Sequence, residues 1–287
     1  MKQTKWQYTI SLLGYMGCFK DDRNRHLKYR IADLSHTTLL KCKQHCRGFK
    51  YTGLQAGAYC LCGNTLINPT YPRVLDSECN FPCPGESFRM CGAGWKNSIY
   101  RDVVYVIDKS GSVTESNFNE AINFIYMVTE YLTIGNDAIM VSIVTYSTTY
   151  SLEFALNTYS TNTSVLTAIN GLIGTTTDGN TYTGEALRFV QTYILQTSNG
   201  ARTGVDKVVV VLTDGASNGA IDPGTAADSL RTDGVEVFAV GIGTSHLNEL
   251  QDIANDPASY YVMYVSDFIF LCGLIPALVP KLGNYLD

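Results

Sequence analysis

Eight of the nine cysteines in this 287-residue chain fall between Cys18 and Cys91, and Cys272 alone lies beyond them. An even, dense cysteine set reads as a disulfide framework made in an oxidising compartment, stapling a small loop-rich unit. Zinc is the alternative reading. The spacings Cys42-x3-Cys46, Cys60-x-Cys62 and Cys79-x3-Cys83 contain no C-x2-C pair, which favours disulfides. The expected disulfide formers are therefore Cys18, Cys42, Cys46, Cys60, Cys62, Cys79, Cys83 and Cys91, with their pairing left open. Cys272 reads as a buried free thiol.

Charge divides the chain near the same place. Residues 1–100 hold 14 basic and 6 acidic side chains, whereas residues 101–287 hold 7 basic and 20 acidic. Two modules with different surfaces are expected. Lys and Arg are scattered rather than clustered, which argues against a nucleic-acid partner. No run of 18 apolar residues occurs, so no membrane span is expected. Residues 1–13 read as a lead segment. Its apolar stretch is broken by Gln7, Thr9 and Ser11 and makes a poor signal peptide. Set against the disulfides, this suggests a secreted protein or ectodomain fragment with an incomplete start.

Residues 14–100 are short segments between Gly, Pro, Asn and Cys. Ser35 or Thr37 is a candidate cap for a short helix that places Cys42 and Cys46 one turn apart on one face. Cys60 and Cys62 share one face of a strand-like run and must seek partners elsewhere. From Asp102 the texture changes. Val103–Ile107 is a continuous apolar run, as expected of a strand buried on both faces. Phe118, Ile122, Ile125, Val128 and Leu132 then recur at helical spacing. Strands are expected over Ala138–Tyr146, Lys207–Thr213, Val235–Gly241 and Tyr260–Val265. Tyr150–Phe154 is expected as a short antiparallel neighbour of the second strand. Helices are expected around Ser164–Gly171, Gly184–Gln196, Thr225–Arg231, His246–Ala254 and Phe268–Leu282, the last kinked or short because of Pro276 and Pro280. Alternating strands and helices imply an α/β fold with a mainly parallel sheet covered on both faces.

In such sheets ligands bind beyond the carboxyl ends of the strands. Asp108 opens Asp108-Lys109-Ser110-Gly111-Ser112 after the first strand, and Asp214 follows Val208–Leu212. A third polar loop, Gly179-Asn180-Thr181-Tyr182-Thr183-Gly184, opens a helix. Taken singly, an Asp at a strand end reads as a helix cap. Taken together, Asp108, Ser110, Ser112, Thr181 and Asp214 form an oxygen-only set suited to a hard cation, Mg2+ or Mn2+. In this order they resemble the metal-ion-dependent adhesion site of von Willebrand factor A domains, over residues 102–284. The resemblance implies a Rossmann-like fold: a mostly parallel sheet with one antiparallel edge strand and helices on both faces. It also implies that Ser110, Ser112 and Thr181 hold the cation directly, and that Asp108 and Asp214 act directly or through water. The cation would meet a Glu or Asp carboxylate on a matrix or cell-surface protein.

Residues 14–100 resemble a WSC domain. The match rests on Gly17-Cys18-Phe19, Cys42-x3-Cys46, Tyr59-Cys60-x-Cys62-Gly63-Asn64, Cys79-Asn80-x-Pro82-Cys83 and Cys91-Gly92. That family implies four disulfides and suggests carbohydrate binding. Tyr51, Tyr59, Tyr71 and Trp95 are the candidate glycan contacts, and core packing of the same rings is the alternative. Asn162-Thr163-Ser164 is a glycosylation acceptor expected in a loop.

Catalysis finds little support. No G-x-S-x-G elbow occurs, and no base beside Ser110 or Ser112 is evident in the sequence. The expectation is an extracellular, non-enzymatic adhesion or matrix protein. A carbohydrate-recognition protein with the second module as scaffold is the main alternative, and a metal-assisted hydrolase a remote one.

Overall fold

One long strand joins the two halves. In the computed structural model, β8 runs without a break over Lys96–Asp108. The structure describes residues 15–282 apart from Ser35, Gly48, Lys50, 65–69, Thr133, 136–138, 203–204 and 244–245. The expected lead segment 1–13, the candidate cap Ser35 and the start of the Ala138 strand lie outside the described residues.

The first half of β8 closes a small antiparallel sheet. Its neighbours are β1 (Tyr15–Lys20), β2 (Arg30–Asp33), β3 (Tyr51–Gln55), β4 (Tyr59–Gly63) and β5 (Arg73–Val74), in the order β2-β4-β3-β8-β1-β5. Short β6 (Pro82–Cys83) and β7 (Glu86–Met90) pair separately. Helix α1 (Leu39–His45) is capped by neither expected residue: Thr38 accepts the Lys41 N–H at 3.1 Å. The Thr37 hydroxyl instead donates to the Ala58 carbonyl at 2.9 Å, tying the helix entry to the β3–β4 turn. Cys42 and Cys46 do share a face of α1, and Cys60 and Cys62 share a face of β4. The bridges are Cys42–Cys60 and Cys46–Cys62, with Cys18–Cys79 and Cys83–Cys91 beside them. All eight half-cystines are buried. They supply the interior of a unit too small for a large apolar core.

The second half of β8 is the central strand of a doubly wound sheet. β9 (Met140–Tyr146) lies parallel on one side, followed by β10 (Tyr150–Phe154) as an antiparallel edge. On the other side come parallel β11 (Asp206–Thr213), β12 (Glu236–Ile242) and β13 (Val262–Val265). Helices cover both faces. α2 (Glu115–Glu130) packs against α3 (Asn162–Asn170) and α8 (Ile275–Leu282), and α4 (Thr183–Phe189) packs against α5 (Pro223–Thr232), which packs against α6 (Leu247–Ile253). The Val-rich strands are fully buried between these layers, as their unbroken apolar runs require.

Several elements depart from expectation. The Tyr260 strand begins two residues later, because Ala258–Tyr261 forms a helical turn, α7. The expected Phe268–Leu282 helix is a 3-10 segment over Phe268–Leu274 followed by α8, with Pro276 in the first turn, where its missing N–H costs nothing. Asn162 is not in a loop. It opens α3, accepts the Ile134 N–H at 2.8 Å and donates its amide to the Leu132 carbonyl at 2.8 Å. The nitrogen a glycan would need is thus already engaged. Cys272 is free but half-buried rather than buried.

Candidate metal centre

β8 and β11 are the adjacent strands at which the winding reverses, so a crevice opens above their carboxyl ends. Asp108 is the last residue of β8 and is 3% exposed. Its Oδ1 accepts the Ser110 N–H at 2.8 Å, and its Oδ2 accepts the Thr213 hydroxyl at 2.7 Å. The Ser110 and Ser112 hydroxyls stand 3.0 Å apart, and Ser112 donates to Asp214 Oδ1 at 2.7 Å. Four of the five expected ligands therefore form one connected group drawn from two strand ends.

Thr181 reaches the group through backbone contacts. The Gly111 N–H donates to the Gly179 carbonyl at 2.9 Å, and the Asp178 N–H to the Lys109 carbonyl at 3.1 Å. The Thr181 N–H donates to Asn218 Oδ1 at 2.9 Å, and the Asn218 N–H returns to the Thr181 carbonyl at 2.9 Å. The three loops are thus tied to one another pairwise, and Thr181 is held 6% exposed between them.

Sequence reasoning missed the residues that make these ties. Ser217 donates its hydroxyl to the Thr181 carbonyl at 3.1 Å, and its own N–H is held by both Glu249 oxygens at 3.0 Å. Glu185, in the first turn of α4, accepts the Ala220 N–H at 2.7 Å and the Ile221 N–H at 3.2 Å. Asn218 had one available signal: it sits four residues after Asp214 in a Gly-, Ser- and Asn-rich stretch of the kind that forms turns.

Electrostatics fit a cation. Burial pushes the Asp108 carboxyl up to about 6, and the nearby Asp214 adds to the rise, against hydrogen bonds from Ser110 and Thr213 that lower it. Burial raises Asp214 as well, opposed by the hydrogen bond from the Ser112 hydroxyl. Two carboxylates held where their charge is unfavourable, beside three hydroxyl-bearing residues, form a donor set that a hard divalent ion relieves.

The glycan candidates separate by exposure. Tyr51 is 6% exposed beneath the Arg101 guanidinium, and Tyr71 is 7% exposed with its hydroxyl on Asp22 at 2.8 Å. Neither offers a free ring face, which corrects that expectation for both. Tyr59 and Trp95 are 38% and 48% exposed.

The family model described as von Willebrand factor type A domain matches residues 102–275, and that of the WSC domain matches residues 15–93. Collagen alpha-1(XII) chain of Notophthalmus viridescens is 35% identical over 185 residues, covering 64% of this chain and 19% of that protein. Matrilin-1 of Homo sapiens is 32% identical over 184 residues, covering 64% of this chain and 36% of that protein. This chain thus spans about a fifth to about a third of these relatives. Among solved structures, proximal thread matrix protein 1 from the mussel byssus, with a zinc-occupied MIDAS motif, is 28% identical with a TM-score of 0.57. That alignment covers 63% of this chain and 45% of the other. Manganese-loaded TRAP protein of Plasmodium vivax shares the fold at 21% identity and a TM-score of 0.51, over 62% of this chain and 72% of its own.

Proposed function

Because this chain belongs to the von Willebrand factor type A family and carries a WSC domain ahead of that module, we propose that it is an extracellular matrix adhesion protein. In this proposal Asp108, Ser110, Ser112, Thr181 and Asp214 hold a divalent cation, Mg2+ or Mn2+, and a partner protein supplies a Glu or Asp carboxylate. The observation that carries the proposal is the pairwise tying of three loops, distant in sequence, around one group of oxygen donors. When bound, the cation supplies an electrophilic position that an incoming carboxylate completes.

The chain's own residues prepare that position. Ser110 N–H and the Thr213 hydroxyl fix both oxygens of Asp108, so its carboxylate cannot rotate away. Asn218 and Ser217 hold Thr181 by its backbone and leave its hydroxyl unspent in those contacts. Relatives that are collagens and matrilin, and a byssal matrix protein with a zinc-occupied MIDAS motif, support the matrix setting and the divalent ion. No catalytic step is part of the proposal. Asp214 stands beside Ser112, yet its place in the same oxygen group suits it to share a cation. The WSC half contributes glycan binding.

The test is capture of proteins from a solubilised matrix extract by immobilised full chain, in Mg2+ and in EDTA. Partners that elute with EDTA and fail to bind the Thr181→Ala variant are expected. Capture that survives both chelation and Thr181→Ala would retire the cation mechanism.

A further inference from the structure

The basic half presents a layered stack of cations and rings at its outermost strand. β2 closes one edge of the small sheet and, among the described strands, pairs only with β4. Tyr29, directly before it, is 59% exposed, and Ile31, within it, 42%. The Tyr29 ring stacks on Phe49 with centroids 5.7 Å apart. Lys28 Nζ lies 6.0 Å from the centre of the Tyr29 ring, and the Arg30 guanidinium 5.2 Å from that of Phe49. Two cations thus bracket two rings, and Asp33 is the one acidic residue of β2. An open sheet edge bearing Tyr, Phe and Arg has the composition of a protein interface rather than of ordinary solvated surface.

The acidic half carries a hollow of the opposite sign. A groove of about 650 Å³ is lined by residues of α5 and α6 and of the turn leading into α7. Asp222, Asp228, Asp252 and Asp256 face into it, all exposed. Arg231 is the one basic residue of its lining, and that guanidinium is already spent. It pairs with Asp228 at 2.5 Å and donates to the Asp252, Ile253 and Ala254 carbonyls at 2.9, 2.5 and 2.9 Å. Gly224, Ala254 and Ala258 are small wall residues, which leave room for a ring. Neither surface covers the other within one chain: Tyr29 and Asp228 both face solvent, while the halves share β8 and bury Arg101 between them. Each copy therefore carries a basic, aromatic projection and an acidic hollow, both open.

We propose that the Lys28, Tyr29 and Arg30 patch of one copy docks into the α5–α6 groove of a second copy. The contact is heterologous. It leaves a free patch at one end of the pair and a free groove at the other, so it propagates into open chains instead of closing as a dimer. The opposite charge balance of the two halves steers the encounter in the same sense. No cation at the metal centre takes part, so this assembly stands apart from the proposed function.

The test is sedimentation equilibrium of the full chain in EDTA, which keeps metal bridging out, at about 50 mM and about 500 mM salt. At low salt the wild-type mass is expected to rise with concentration past the dimer, and at high salt to return to the monomer. Lys28→Glu with Tyr29→Ser removes the patch. Asp228→Lys with Asp252→Lys removes the groove. Both pairs change exposed side chains, and thermal melts close to wild type guard against misfolding. Each double variant alone is expected to associate at least about tenfold more weakly than wild type. Mixed, the two are expected to form a dimer and nothing larger, because one intact groove meets one intact patch. A wild type that stays monomeric at low salt, association indifferent to salt, or a mixture that remains monomeric would each overturn the proposal. So would either double variant that associates as wild type does.

Discussion

At Asp108, stability and function oppose each other. Burial pushes its carboxyl up to about 6, above the ordinary carboxylate value of about 4, so the folded metal-free chain holds this proton more tightly than the unfolded chain does. The contribution of this group to metal-free stability should therefore fall as pH rises from about 4 through about 6. Asp108→Asn removes the buried charge. In EDTA at pH 7.5 it should melt at or above the wild-type temperature, while Mg2+ raises the wild-type melt and leaves the variant's unchanged. Thermal melts with and without metal check both halves. Asn218 acts one step back from the ion. Asn218→Ala leaves the Thr181 N–H without its acceptor, a loss of about 1–3 kcal/mol. Cation affinity should weaken about tenfold with the fold retained, as read by calorimetry and circular dichroism.

Elements place the site by close approach. Gly184, in the first turn of α4, lies so near the Ile221 carbonyl that a methyl group there would strike backbone. Gly184→Ala should therefore push the Thr181 loop from the 214–222 loop, destabilise the chain by about 2 kcal/mol or more in chemical denaturation, and weaken cation binding in step. The parallel sheet was legible in the sequence because Val103–Ile107 and Val208–Leu212 are unbroken apolar runs, the first followed directly by Asp108 and the second, after Thr213, by Asp214. The five ligands were legible for the same reason: each belongs to a short polar motif at a strand or helix end. Their supports were not. Asn218, Ser217, Glu185 and Glu249 act through backbone hydrogen bonds, which leave no spacing to read. The length of β8 was equally hidden. Lys96, Asn97, Arg101 and Asp102 interrupt its apolar pattern, and the last three are nonetheless fully buried where the two halves meet. Tyr51 and Tyr71 show the reverse error, rings taken for contact surface that the fold spends on packing.

At the scale of the molecule, β8 sets the two functional surfaces apart. Thirteen residues of strand extend roughly 40 Å, with the cysteine-rich half around one end and Asp108 at the other. Where the halves meet, Arg101 is fully buried. It pairs with Glu236 at 3.0 Å, donates to the Lys281 carbonyl at 2.5 Å and lies 5.5 Å from the Tyr51 ring centre. One side chain thus touches the small sheet, β12 and α8 together. Arg101→Met strands the Glu236 carboxylate and should cost about 3–5 kcal/mol. Wild type should unfold in one transition by near-ultraviolet dichroism and fluorescence alike, and the variant in two. The opposite end of the sheet holds the candidate cation site, and titration of Mn2+ into metal-free full chain reads it. One saturable ion per chain is expected, abolished by Asp108→Ala and by Asp214→Ala separately and weakened by Thr181→Ala. Equal binding by wild type and all three variants would mean that these loops, though tied together, do not hold an ion.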